Sequence, residues 1–102
     1  LFTTLWEFRV RAADEAAFVK AYGPAGDWVR LFEQAPGFVR TSLWQDVAVP
    51  RRYVTEDLWQ SRDSYRQFRE QCGQAYADLD VRCAPWTESE MLIGEFEGVM
   101  QS

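Results

Sequence analysis

Residues Phe2 to Val10 alternate in parity, with Phe2, Thr4, Trp6, Phe8 and Val10 on one side and Thr3, Leu5, Glu7 and Arg9 on the other. The stretch is rich in β-branched and aromatic residues and holds no turn former, so it predicts a strand. A helix is expected from about Asp14, a good N-cap residue by type, with Phe18, Ala21 and Tyr22 at helical spacing. Gly23-Pro24-Ala25-Gly26 interrupts it, and Asp27 can cap a second helical piece with Trp28, Leu31, Phe32 and Ala35 as its apolar face. After the Pro36-Gly37 turn, Phe38 to Asp46 and Arg51 to Trp59 predict two strands. The short connection from Val47 to Pro50 makes them an antiparallel hairpin. Ser61 then caps a long helix reaching about Cys83, in which Tyr65, Phe68, Cys72, Ala75, Tyr76, Leu79 and Cys83 recur at helical spacing. Pro85 ends that run, and Thr87 to Val99 predicts a fourth strand carrying Met91, Leu92, Ile93 and Phe96.

The resulting order, β-α-β-β-α-β, is the ferredoxin-like α+β arrangement: one four-stranded antiparallel sheet with helices on one face, forming a single domain over residues 1–102. The strands are not cleanly amphipathic. Leu5 and Trp6, Leu43 and Trp44, and Leu58 and Trp59 each place bulky apolar groups on opposite sides. A sheet that is apolar on both faces is buried on both, and the chain has no further element to cover the second one. A homodimer packed sheet to sheet is the expectation.

Composition narrows the function. Five Trp, four Tyr and seven Phe make 16% of the chain aromatic, the kind of surface that lines ligand pockets and interfaces. A net charge of −5, from 11 basic and 16 acidic residues, argues against a nucleic-acid partner and against an anionic membrane surface. No segment approaches the ~18 apolar residues needed to span a bilayer. There is no His and no Asn. That removes the Ser-His-Asp triad, the Cys-His pair and any imidazole ligand for zinc or haem, so no metal is expected. A general base must then be Asp, Glu, Tyr, Cys or Lys20. Cys72 and Cys83, read as part of one helix, lie ~16 Å apart along its axis. That is beyond the ~7 Å a disulfide allows. Reduced thiols and the lack of a secretory leader point to a cytoplasmic protein. The start at Leu1 rather than Met points to native residues missing at the front.

Several segments together carry a resemblance. They are Leu5-Trp6-Glu7-Phe8-Arg9-Val10, the Ala35-Pro36-Gly37-Phe38 turn, and Arg52-Tyr53-Val54-Thr55-Glu56-Asp57-Leu58-Trp59 running into Ser61, Tyr65 and Phe68. Glu90 to Phe96, with Gly94 near its centre, completes the set. The chain resembles the antibiotic biosynthesis monooxygenase family, a branch of the dimeric α+β barrel superfamily, over nearly its whole length. The resemblance implies a dimer whose sheets face each other around a barrel-like cavity. It also implies oxygenation of polycyclic aromatic or quinol substrates without metal or flavin. Relatives in the superfamily degrade haem with a His iron ligand, which this chain lacks. Many members carry a His in the helix after the Trp strand, where this chain has Phe68, and the Asn side chains that serve several active members are absent here.

Parity along the third strand groups Tyr53, Thr55, Asp57 and Trp59 against Val54, Glu56 and Leu58. With Trp6, Phe8 and Val10 assigned to the helix side, Glu7, Arg9, Tyr53, Asp57 and Trp59 are expected on the side facing the partner sheet. There Asp57 or Glu7, desolvated, would take a phenolic proton, Arg9 would hold the resulting anion, and Trp59 and Tyr53 would sandwich an aromatic ring. The same residues also read structurally, as a Glu7 or Asp57 pair with Arg9 and as interface packing. Tyr65, Phe68, Tyr76 and Leu79 read as core, Cys72 as a packed thiol, and Arg62, Arg66 and Arg69 as a solvated face pairing with Asp63 and Glu70. The Gly23-to-Gly26 break reads as a flexible lip over the cavity or as a helix kink. Two functions follow. One is a cofactor-independent monooxygenase-like protein oxidising a phenolic or polycyclic aromatic molecule in the dimer cavity. The other is a non-catalytic dimeric barrel that binds a hydrophobic small molecule or acts as an accessory subunit.

Overall fold

The structure, a computed structural model, describes residues 1–100. Four strands, β1 (Phe2–Val10), β2 (Phe38–Gln45), β3 (Arg52–Trp59) and β4 (Thr87–Glu97), form one antiparallel sheet in the order β2-β3-β1-β4. Helices α1 (Glu15–Tyr22), α2 (Asp27–Phe32), α3 (Arg62–Gln71) and α4 (Gly73–Cys83) cover one face. This is the expected ferredoxin-like α+β order, with its first helical layer divided by the Gly23–Gly26 break. No helix among the described residues is long and apolar enough to cross a membrane.

The core lies between the sheet and the helices. Phe2, Phe8 and Val10 of β1 meet Phe18 and Tyr22 of α1, Leu31 and Phe32 of α2, Phe68 of α3 and Leu79 of α4. Aromatic rings dominate it. Phe18 stacks on Tyr22 with centroids 4.2 Å apart, and Trp59 meets Phe32, Phe38 and Tyr65 edge-on at 5.3–5.5 Å. Offset and edge contacts of this kind add to area burial because ring edges and faces carry opposite partial charge.

Several local expectations are corrected. The helix expected from Ser61 to Cys83 is two helices. Ser61 does cap α3, its hydroxyl accepting from the Ser64 amide at 3.1 Å. Cys72 then leaves helical geometry at φ −113° and ψ 20°, and α4 restarts at Gly73. Both Cys72 and Cys83 are free thiols. The second helix begins at Asp27 itself, with Gly26 in the cap position, and Asp14 makes no side-chain cap. The third strand starts at Arg52 because Arg51 sits at φ 61°, a left-handed turn conformation that ends pairing. The second strand ends at Gln45, because Asp46 turns its carboxylate onto the Ala48 and Val49 amides. The fourth strand ends at Glu97 rather than Val99.

Register decides which side chains share a face. Phe8 pairs with Tyr53, Trp6 with Thr55, Thr4 with Asp57 and Phe2 with Trp59. Tyr53, Thr55, Asp57 and Trp59 therefore lie on the helix-covered face, and all four are buried. Glu7 pairs with Val54 and Arg9 with Arg52, on the uncovered face. The expectation that Glu7, Arg9, Tyr53, Asp57 and Trp59 share one face is thus corrected. Strand β3 is apolar on both sides, so its parity alone does not say which set meets the helices.

Candidate functional site

A cavity of about 200 Å³ lies between the helix-covered face of the sheet and the helices. For scale, an apolar cavity of ~150 Å³ is enough to hold a benzene ring. Its walls are aromatic: Trp6 and Phe8 from β1, Tyr22 from α1, Trp28 and Phe32 from α2, and Tyr76 from α4. Thr41 of β2 and Thr55 and Asp57 of β3 bring polar groups to the sheet side. Arg69 of α3, Asp80 of α4 and Glu90 of β4 complete the lining.

Asp57 is the chemically distinctive member. It is 8% exposed, and the Thr41 hydroxyl donates to its Oδ1 at 2.7 Å. No Lys or Arg pairs with it among the described residues. Burial raises its pKa from 3.8 to about 6, against the opposing pull of the Thr41 and Thr4 hydroxyls. Desolvation disfavours the charged form, and only a counter-charge or several hydrogen bonds would cancel that. The carboxylate is therefore set near neutrality, where a general base works best.

The other side chains singled out in the sequence fall elsewhere. Trp59 is fully buried inside its cage of Phe32, Phe38, Tyr65 and Phe68, and does not line the cavity. The Tyr53 hydroxyl donates to Glu15 Oε2 at 2.7 Å, and burial pushes its pKa up to about 12. Glu7 accepts from Arg9 at 3.1 Å and from Arg52 at 3.2 Å on the opposite face of the sheet, and the bond from Arg52, then that from Arg9, holds its carboxyl below the usual range. Of the five, only Asp57 reaches the cavity.

Tyr76 packs against the core and Arg69 is exposed, as their spacing predicts, and both also line the cavity, the guanidinium at its rim and 3.9 Å from the centroid of the Tyr76 ring. No local signal in the sequence marks Tyr76 or Arg69 as cavity residues, because their helical spacing is that of any core or solvated position, whereas Asp57 stands out as an acid among the aromatic residues of its strand.

Fold and cavity together define a ferredoxin-like α+β protein with a small, aromatic-walled cavity between sheet and helices. The family model described as antibiotic biosynthesis monooxygenase matches residues 1–73, so the chain belongs to that family. No curated protein matches the sequence. Among solved structures, the cofactor-independent oxygenase SnoaB from Streptomyces nogalater is similar at 24% identity with a TM-score of 0.70, over 98% of this chain and 94% of that one. A Bordetella bronchiseptica protein named after the same family has 17% identity and a TM-score of 0.76, over 97% of each chain. MhuD, in a variant with two manganese protoporphyrins IX in each active site, has 21% identity and a TM-score of 0.73, over 100% of this chain and 98% of that one. At these identities the likeness bears on the fold.

Proposed function

We propose that this chain is a cofactor-independent monooxygenase that oxidises a hydroxyaromatic small molecule bound in the Asp57 cavity. The observation that carries the reading is a buried carboxylate without a cation partner, with a pKa raised to about 6, inside a cavity walled by aromatic rings. Membership of the family supports the reaction class. The aromatic walls bind a planar ring and exclude water. Asp57 accepts the hydroxyl proton, and the electron-rich anion left on the ligand is the reductant for dioxygen. For a substrate carbon bearing two hydrogens the balance is CH2 + O2 → C=O + H2O: one oxygen atom enters the substrate and the other leaves as water. This assigns Asp57 the role of base and gives the ring-binding role to Trp6, Trp28, Phe32 and Tyr76 in place of Trp59 and Tyr53.

The same reading includes a homodimer. Leu5, Val54, Leu58, Trp44, Met91 and Phe96 share the uncovered face, and Trp44, Met91 and Phe96 are 59%, 56% and 48% exposed. Large apolar side chains exposed among Glu7, Arg52 and Glu56 on one sheet face call for a cover, and a second copy presents the matching apolar and charged groups. Reduced Cys72 and Cys83 fit a cytoplasmic setting.

Oxygen uptake with a panel of anthrones and quinols tests the function. The expected result is uptake that Asp57→Asn lowers by ~10²–10⁴-fold, the usual contribution of a general base. Binding of panel members without uptake would replace the oxygenase reading with that of a non-catalytic binding barrel.

A further inference from the structure

Arg69, exposed at the rim, is the basic side chain of the cavity lining, and among the described residues no carboxylate forms an ion pair with it. Aromatic groups hold it instead. Its Nη1 donates to the Tyr65 hydroxyl at 3.0 Å, one turn back on α3, and its guanidinium lies 3.9 Å from the Tyr76 ring centroid on α4. A guanidinium carries five N–H donors in a rigid plane, and stacking fixes that plane without consuming them. Tyr76, Arg69 and Asp57 line the same cavity, so the ring that carries the guanidinium also faces the space next to the Asp57 carboxylate.

The lining also holds Asp80 and Glu90, and burial followed by the Asp80 charge pushes the Glu90 carboxyl up. Carboxylates outnumber cations, so a ligand arriving as an anion is repelled. Negative charge that develops beside Arg69 after binding is stabilised. An interaction that strengthens only as the proton leaves lowers the barrier rather than merely tightening binding.

We propose that Arg69 is a catalytic residue: it hydrogen-bonds a second ligand oxygen, conjugated with the hydroxyl that Asp57 deprotonates, and takes up the charge that reaches it. The inference rests on the oxygenase reading and refines its substrate class. The ligand is a neutral aromatic bearing a hydroxyl at one end of a conjugated system and a carbonyl oxygen at the other. In the step, the O–H bond breaks, the proton passes to the Asp57 carboxylate, and the electron pair stays on the ligand and delocalises onto the oxygen facing Arg69.

The test uses two probes under anaerobic conditions. 4-Hydroxybenzaldehyde has the conjugated second oxygen, whereas 4-ethylphenol lacks it. The ionisation of each bound probe is followed by its phenolate absorbance across pH. The expected result is that the wild-type protein lowers the pKa of bound 4-hydroxybenzaldehyde relative to the free molecule. Arg69→Met then reduces the ionised fraction about tenfold, a modest value for a lost oxyanion donor at a partly open site. Arg69→Lys restores part of the effect and keeps the test available should the Met variant fold poorly, and 4-ethylphenol is indifferent to both changes. An Arg69→Met protein that binds 4-hydroxybenzaldehyde with unaltered ionisation, or that changes both probes equally, overturns the inference while leaving the oxygenase reading in place. Wild-type protein that binds neither probe overturns both.

Discussion

Asp57 combines a destabilising burial with a reactive setting in the cavity. Folded, it holds its proton to about pH 6, whereas its ordinary value is 3.8. Between those values the folded state binds more protons than the unfolded one, so stability is expected to fall as pH rises through this window. At ~1.4 kcal/mol per pH unit the span amounts to about 3 kcal/mol, an upper figure because hydration and local rearrangement relieve part of it. Asp57→Asn keeps an oxygen for the Thr41 hydroxyl but carries no charge. It is expected to raise unfolding stability at pH 7 by about 1–3 kcal/mol and to flatten the pH dependence between 4 and 6, as read by urea denaturation at a series of pH values. A variant that gains stability while losing oxygen uptake is the pattern of a strained functional group. Activity should follow the opposite sign to stability, rising with pH through about 6 as the base ionises.

At the scale of elements, two glycines are expected to behave oppositely. A Cβ at Gly37 would collide with the Ser64 side chain, where the β2 approach touches the start of α3 and the Gln60 amide donates to the Gly37 carbonyl at 2.8 Å. Gly37→Ala is expected to destabilise by about 1–3 kcal/mol through overpacking. Gly73 opens α4 with nothing within 4 Å of an added Cβ. Gly73→Ala is expected to stabilise by roughly 0.5–1 kcal/mol, because the unfolded chain loses freedom. Denaturant midpoints of the two variants check both signs. Every strand and the Gly23–Gly26 interruption were legible from spacing and turn residues, because those signals are local. The α3–α4 break was not. Tyr65, Phe68, Cys72, Tyr76 and Leu79 keep their periodicity across it, and a single non-helical residue at Cys72 leaves that pattern intact.

At the scale of the whole molecule, the same chemistry that revealed the two-faced sheet obscured the site. Val54 and Leu58 on one parity of β3 are as apolar as Tyr53 and Trp59 on the other. The side that meets the helices follows only from pairing with β1, where Phe8 faces Tyr53 and Thr4 faces Asp57. The cavity also draws on α1, α2, α3, α4 and all four strands, and such convergence has no signature in any one segment. The uncovered face yields a separate expectation. Leu58→Glu adds a carboxylate two residues from Glu56 on the same face, on a strand interior to the sheet, and should convert a dimer to monomer in native mass spectrometry. A wild-type monomer would remove the dimer from the account and leave the Asp57 cavity, which belongs to one chain, untouched.

Everything proposed for the cavity depends on Asp57 being a carboxylate poised as a base. A carbon-13 NMR titration of the Asp57 side-chain carboxyl, with and without bound 4-hydroxybenzaldehyde, tests it most directly. The carboxyl is expected to titrate at about 6 in the free protein, and its resonance to move to that of the protonated acid when the bound ligand gives up its hydroxyl proton. A carboxyl that titrates near 3.8, and that a ligand bound to the protein leaves unmoved, would contradict it.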